Sequence, residues 1–210
     1  MTKKIDYQNE PSHLREGILR RGHITPWELF KIVSWKSAKG VAWLSLNTEA
    51  EIVEFTSEAV RDLTTWSWPY GALINGNMND EAWALWEEKV GQVIGADQKH
   101  SKSGYATGLL RIHGVGYPVA TAILAFLKPE IFPVMDKWAV ETIFGEGASR
   151  KRWQHKSKYR EYAQLLVNPQ IEDLQEVATL RGRDQKAMQL AMGKNKGASL
   201  NAGIPKTCVS

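Results

Sequence analysis

Two short stretches of this 210-residue chain carry residue types that could do chemistry together. The first is Ile112-His113-Gly114-Val115-Gly116-Tyr117-Pro118-Val119-Ala120, and the second, Phe132-Pro133-Val134-Met135-Asp136, ends on a single carboxylate. In a Gly-Val-Gly turn between helices, the first glycine permits the turn and the second lets backbone approach an anion closely. The N–H groups that open the following helix, at its positive end, can then hold a phosphate. Gly116 and Asp136 are 20 residues apart, a span filled by one apolar helix and a proline-marked loop. A carboxylate at the next helix start could act on whatever that phosphate positions. Plainer uses exist for both parts: Gly-x-Gly serves as an ordinary helix–helix turn, and Asp is a common N-cap.

The elements that must position these residues read as helices almost throughout. Thr25-Pro26-Trp27-Glu28 has the N-cap, proline and glutamate spacing of a capping box, followed by an apolar stripe of Leu29, Phe30, Ile32 and Val33. Thr48-Glu49-Ala50-Glu51 repeats the signal ahead of Ile52, Val53, Phe55, Ala59, Val60 and Leu63. Asn79 or Asp80 caps a helix whose apolar set is Trp83, Leu85, Trp86, Val90 and Val93. Gly104 to Arg111 leads into the hairpin, Tyr117 to Leu127 follows it with Pro118 in its first turn, and Lys128-Pro129 ends it. Asp136 to Phe144, 150–166, 169–180 and Asp184 to Met192 read as further helices, and from Gly193 onward the composition suggests a frayed tail. No internal repeat and no run of strands is evident. The expected fold is all-α and two-lobed: residues 1–98 as an N-terminal helical lobe, 99–192 as the hairpin lobe, and 193–210 as a flexible tail.

Composition bounds the function classes. Hydrophobic content of 43% with 24% charged residues describes an ordinary globular chain. The apolar run from Val119 to Leu127 is too short to cross a bilayer, and the N-terminus lacks the apolar core of a signal peptide, so cytoplasmic residence without a membrane partner is expected. One cysteine, Cys208, cannot build a disulfide, a multi-cysteine zinc site or a four-cysteine cluster within one chain. The five histidines show no metal-ligand spacing, and no cofactor or metal is expected. Residues 1–98 carry 10 Lys/Arg against 14 Asp/Glu, a net −4, whereas residues 99–210 carry 17 against 9, a net +8. The basic excess surrounds the hairpin and suggests a polyanion partner, although a solvated basic face accounts for charge alone equally well.

From Leu110 to Phe144, with Gly-Val-Gly, Ala-Ile-Leu and Phe-Pro-Val-Met-Asp, the chain resembles the helix-hairpin-helix base-excision DNA glycosylases, and within them the adenine-glycosylase branch of the endonuclease III superfamily. The likeness covers about 35 residues strongly and the flanking helices by type only. It implies that Asp136 is the catalytic carboxylate and that Gly114, Val115 and Gly116, with Ile112, His113 and Tyr117, contact the DNA backbone. A carboxylate suits such a reaction, because breaking an N-glycosidic bond builds positive charge on the sugar. Two departures matter. Bifunctional members carry a lysine two residues after the second glycine, where this chain has Pro118; the nearest alternative, Lys137, directly follows Asp136. Many relatives also hold an iron–sulfur cluster that a lone cysteine cannot bind.

Nine tryptophans offer surfaces on which a flipped base could stack. Trp35, Trp66, Trp68 and Tyr70 are the candidates for a base pocket, while Trp43, Trp83 and Trp86 sit among apolar neighbours and read as core. Arg150, Lys151 and Arg152 open a stretch of six Lys/Arg without an acid that suits a phosphate backbone. Together these features lead to the expectation of a monomeric, monofunctional glycosylase that flips and releases a damaged, mismatched or modified base from double-stranded DNA. Its role would be repair, or defence against hypermodified phage DNA. A non-catalytic helix-hairpin-helix DNA-binding protein is the alternative, and an RNA-binding protein a third.

Overall fold

The computed structural model describes residues 13–36, 38–75, 78–96, 105–145, 148 and 156–201. Among these, the chain forms α1 (His13–Arg21), α2 (Pro26–Lys36), α3 (Ala38–Leu44), α4 (Glu49–Thr65) and α5 (Asp80–Ile94). A single 3-10 turn (Gly108–Arg111) precedes α6 (Tyr117–Leu127), α7 (Lys137–Phe144), α8 (Lys156–Val167), α9 (Glu172–Gln175) and α10 (Leu180–Asn201). No strand occurs among the described residues, so the all-α class holds. No helix there is long and apolar enough to cross a membrane.

The local start signals work as their chemistry dictates. The Glu28 carboxylate accepts from Thr25 N (2.9 Å) and Thr25 Oγ1 (2.8 Å), closing the expected box on α2. Thr48 and Glu51 do the same for α4, at 2.7 Å for Thr48 N and 3.2 Å for Glu51 N. Asn79, rather than Asp80, caps α5 through Ala82 N at 2.8 Å.

Three stretches depart from expectation. The turn ahead of Thr48 contains a short helix, α3, which sets Val41 and Leu44 against the core. Positions three apart share a face, so Trp43 points outward and is 60% exposed instead of buried. Over 169–180 only the four residues of α9 and Leu180, which opens α10, are helical. Thr179 Oγ1 accepts from Gly182 N at 3.1 Å and starts α10 four residues before Asp184, which becomes an interior position. The same helix runs through Gly193 to Asn201, where the composition suggested fraying. Packing on α7, with Met188, Leu190 and Met192 against the core, and Arg183 bonds to the carbonyls of Leu166, Val167 and Val177 anchor its first half.

One buried cluster joins both halves, taking Leu29, Leu63 and Trp86 from the first and Ile123, Phe132, Tyr159 and Tyr162 from the second. Polar ties cross the same boundary: Trp86 Nε1 donates to Ile131 O (3.1 Å) and Arg15 Nε to Leu127 O (3.0 Å). Trp83 and Trp86 are core, as expected. After α5 the chain leaves and returns at a tight crossing. Gly95 has φ +80°, and a Cβ there would lie 2.0 Å from Thr107 O. Thr107 N donates to Ala96 O (2.8 Å), and Ala96 N donates to Thr107 Oγ1 (2.9 Å). This pins the strap that delivers the hairpin.

Candidate active site

The hairpin forms as its glycines require. Leu109, Ile112 and Val115 are buried beneath it, and the turn is made by His113 and Gly114, the latter at φ +88°. Val115 N donates to Ile112 O at 3.0 Å, so this amide is consumed within the turn and the phosphate-holding role expected of it narrows to its neighbours. Gly116 caps α6, its carbonyl accepting from Val119 N (3.0 Å) and Ala120 N (2.9 Å). Its backbone is ordinary, at φ −88°, and a Cβ would find only Pro118 Cδ at 3.9 Å. The fold itself therefore does not demand glycine at 116; an outside group that must come close to the backbone would.

Tyr117 and Ala120 point inward, while His113, Gly116 and Pro118 lie at the surface. Burial, with a lesser contribution from Glu87, pushes the Tyr117 hydroxyl well above the usual phenol range. That hydroxyl is buried without a hydrogen-bond partner among the described residues. The hairpin is also clamped from outside. Asn47 Oδ1 accepts from His113 N (2.8 Å), and its Nδ2 donates to His113 O (3.0 Å) and Leu44 O (2.9 Å). Arg111 is committed to α4, at 3.1 Å from Glu54, 3.2 Å from Glu58 and over the Phe55 ring.

From α6 the chain reaches Asp136 through an extended segment pinned at each residue. Tyr159 donates its hydroxyl to Pro133 O (2.5 Å), and Tyr162 donates to Val134 O (3.2 Å). Val134 N donates to Asp184 Oδ2 (3.0 Å), and Met135 N donates to Thr121 Oγ1 (3.1 Å). Thr121, the one polar residue in the apolar run of α6, is thus what joins the helix after the hairpin to the residue before the carboxylate. Asp136 then caps α7, with Oδ1 accepting from Trp138 N at 2.7 Å.

Its other oxygen takes an ion pair that no local signal announces. Lys36 Nζ, from the last residue of α2, lies 2.5 Å from Asp136 Oδ2, and the two side chains are 4% and 12% exposed. Trp35, Lys36, Val134, Asp136, Arg181, Asp184, Gln185 and Met188 line a narrow crevice around this pair, whose interior of about 10 Å³ has room for roughly one water. Asp184 is buried beneath it and accepts from Tyr162 Oη at 2.8 Å and from the Arg181 guanidinium. Burial raises the Asp184 carboxyl above the usual range, against the opposing pull of Arg181, Tyr162, Lys36 and Val134 N. Arg181 lies 5.3 Å from the Trp35 ring.

The structure brings Trp35 together with Asp136 but puts the other aromatic candidates elsewhere. Trp66, Trp68 and Tyr70 form their own aromatic cluster, tilted and edge-on with centroids 4.9 and 5.1 Å apart, and Trp66 stacks on Phe132 at 5.9 Å. They do not line the crevice. Arg150, Lys151 and Arg152 lie outside the described residues. Lys36, Asn47, Arg181, Asp184 and Gln185 went unnoticed in the sequence, since each acts across the fold; only the adjacency of Lys36 to Trp35 hinted at one. Among the described residues, no three His, Cys, Asp or Glu side chains cluster as metal ligands do. No protein family, curated protein or solved structure matches the chain.

Proposed function

We propose that this chain is a DNA glycosylase that flips a damaged, mismatched or modified base out of double-stranded DNA and hydrolyses its N-glycosidic bond at Asp136, within a two-lobed helix-hairpin-helix fold. One observation carries the reading: a largely buried carboxylate, fixed at a helix start, lies in a narrow crevice walled by an indole. A sugar cation forming in that crevice would be stabilised by the carboxylate, which its pinned backbone holds in place before the reaction begins. The base would lie against Trp35. The exposed Gly116, which the fold does not require, fits a phosphate anchor on the Gly114 and Gly116 amides. The protein would act as a monomer in the cytoplasm.

A second reading has an observation of its own. Both Asp136 oxygens already have partners, Trp138 N and Lys36, as they would in a purely structural cap. A non-catalytic DNA-binding protein would look the same there. Incubation with duplexes carrying a panel of damaged and modified bases, followed by alkali cleavage of abasic sites, separates the two. Base release by the wild type and its loss in Asp136→Asn, with DNA affinity kept, supports excision; no release from any duplex leaves the binding protein.

A further inference from the structure

We propose that the chain holds a second ligand site, apart from Asp136, that takes a free nucleoside of the 6-oxopurine kind, with guanosine as its best fit. The inference goes beyond excision and does not depend on it, because neither the pocket nor its test involves DNA.

The site is a pocket of about 350 Å³ between the turn after α4, the turn after α6 and the start of α10. That volume falls within the range of about 300–1,000 Å³ in which small-molecule sites lie, and is ample for a nucleoside. The crevice at Asp136, by contrast, has room for roughly one water. The walls are tied before any ligand arrives. Leu73 N donates to Glu130 O at 2.9 Å and joins the first two turns, while Gly182 N donates to Thr179 Oγ1 at 3.1 Å and fixes the third side. A pocket formed in advance asks little ordering of the protein when a ligand binds.

Ile74, Pro129 and Leu180 give the pocket apolar walls that suit the faces of a flat ring system. The charged groups then decide the class of ligand. Glu130 and Arg181 are the two charged residues of the lining, and they differ in sign. A phosphate drawn to Arg181 would meet Glu130, and an ammonium drawn to Glu130 would meet Arg181. A neutral ligand with donors on one edge and acceptors on another satisfies both.

The Glu130 carboxylate is 45% exposed and accepts no hydrogen bond among the described residues, with Arg15 standing 3.9 Å away. It can accept from two adjacent N–H groups, which guanine offers at N1 and N2. The Arg181 guanidinium carries five N–H donors in a planar fork, so it can hold Asp184 and also serve an acceptor on its pocket side. Guanine presents O6 and N7 at the spacing that such a fork prefers. Adenine has neither the donor pair nor the oxygen. Asn75, exposed at the rim, offers an amide to the ribose hydroxyls.

Equilibrium dialysis of the full chain against labelled guanosine tests the site. Saturable binding of one nucleoside per chain is expected. Inosine, which lacks the N2 amine, should bind about tenfold more weakly, and adenosine more weakly still. Glu130→Gln keeps the size of an exposed side chain and should weaken guanosine about tenfold while melting like the wild type. Ala178→Phe, which places a ring at the mouth, should abolish binding. Absence of saturable guanosine binding overturns the proposal, and adenosine binding as tight as guanosine overturns the ligand class. Unchanged guanosine affinity in Glu130→Gln, or in a folded Ala178→Phe, puts the ligand elsewhere and overturns the site. Base release from a duplex, found or not found, alters none of these outcomes, so this proposal and the excision reading fail separately.

Discussion

Replacing Lys36 by Met keeps the stem that fills the space behind Asp136 and removes the ammonium. The carboxylate is then left 12% exposed, with Trp138 N as its remaining donor among the described residues. Breaking a buried pair by deleting one partner costs about 3–5 kcal/mol. The surviving cap bond and partial access to water put this site at the lower end, about 3 kcal/mol. For a chain of this length that corresponds to a fall in Tm of roughly 6–12 °C. Asp136→Asn should cost a similar amount by stranding Lys36, although Asn remains a good cap. The double variant should lose less than the sum, by about 1.5 kcal/mol or more, since neither orphaned charge survives in it. Urea unfolding followed by tryptophan fluorescence gives all four corners of the cycle. Additive losses, or a Lys36→Met cost below about 1 kcal/mol, would mean that the pair behaves as a solvated one and does not hold the carboxylate.

Three further outcomes follow from the geometry. Gly116→Ala should change stability by less than about 1 kcal/mol, because the backbone there is ordinary and the space open, yet weaken duplex binding by roughly tenfold. Equal affinity in a filter or anisotropy assay would remove the phosphate from Gly116. Gly95→Ala should cost about 3 kcal/mol or more in a denaturant melt, since the added Cβ meets Thr107 O at 2.0 Å. Gly22→Ala, at φ +83° with nothing within 4 Å, should cost only about 1 kcal/mol; equal losses would contradict the crossing. Asp184, its carboxyl raised by burial, contributes stability that is present below a pH of about 4 and lost as pH rises through its folded value. The non-titrating Asp184→Asn should therefore trail the wild type more at pH of about 4 than at about 7, and a deficit that grows with pH would reverse the sign of the burial effect.

What could be read from the sequence was what acts locally. The capping boxes at Thr25 and Thr48 and the Gly114 turn each involve residues within a few positions, and their hydrogen bonds form where spacing puts them. Trp43 was misread because apolar neighbours in sequence do not say which face of a short helix turns outward. Trp66 and Trp68, read as recognition surfaces, lie half-buried, Trp66 stacked on Phe132 and Trp68 tilted against Trp66, away from the Asp136 crevice; their place is set by distant packing and not by their neighbours in sequence. Lys36 and Asp136 are 100 residues apart, and Asn47 and His113 are 66 apart. Each pair exists only once α2 and the α3–α4 turn have docked on the hairpin half, which no window along the chain contains.

The crossing after α5 has a consequence for how this chain can vary. Ala96 and Thr107 hold each other by two hydrogen bonds at the mouth of the intervening segment, and Gly95 lets their backbones touch. A side chain at position 95 would push Thr107 away and carry that shift through the Gly108–Arg111 turn toward Gly116. The position of the hairpin is thus set by a backbone contact that lies outside it.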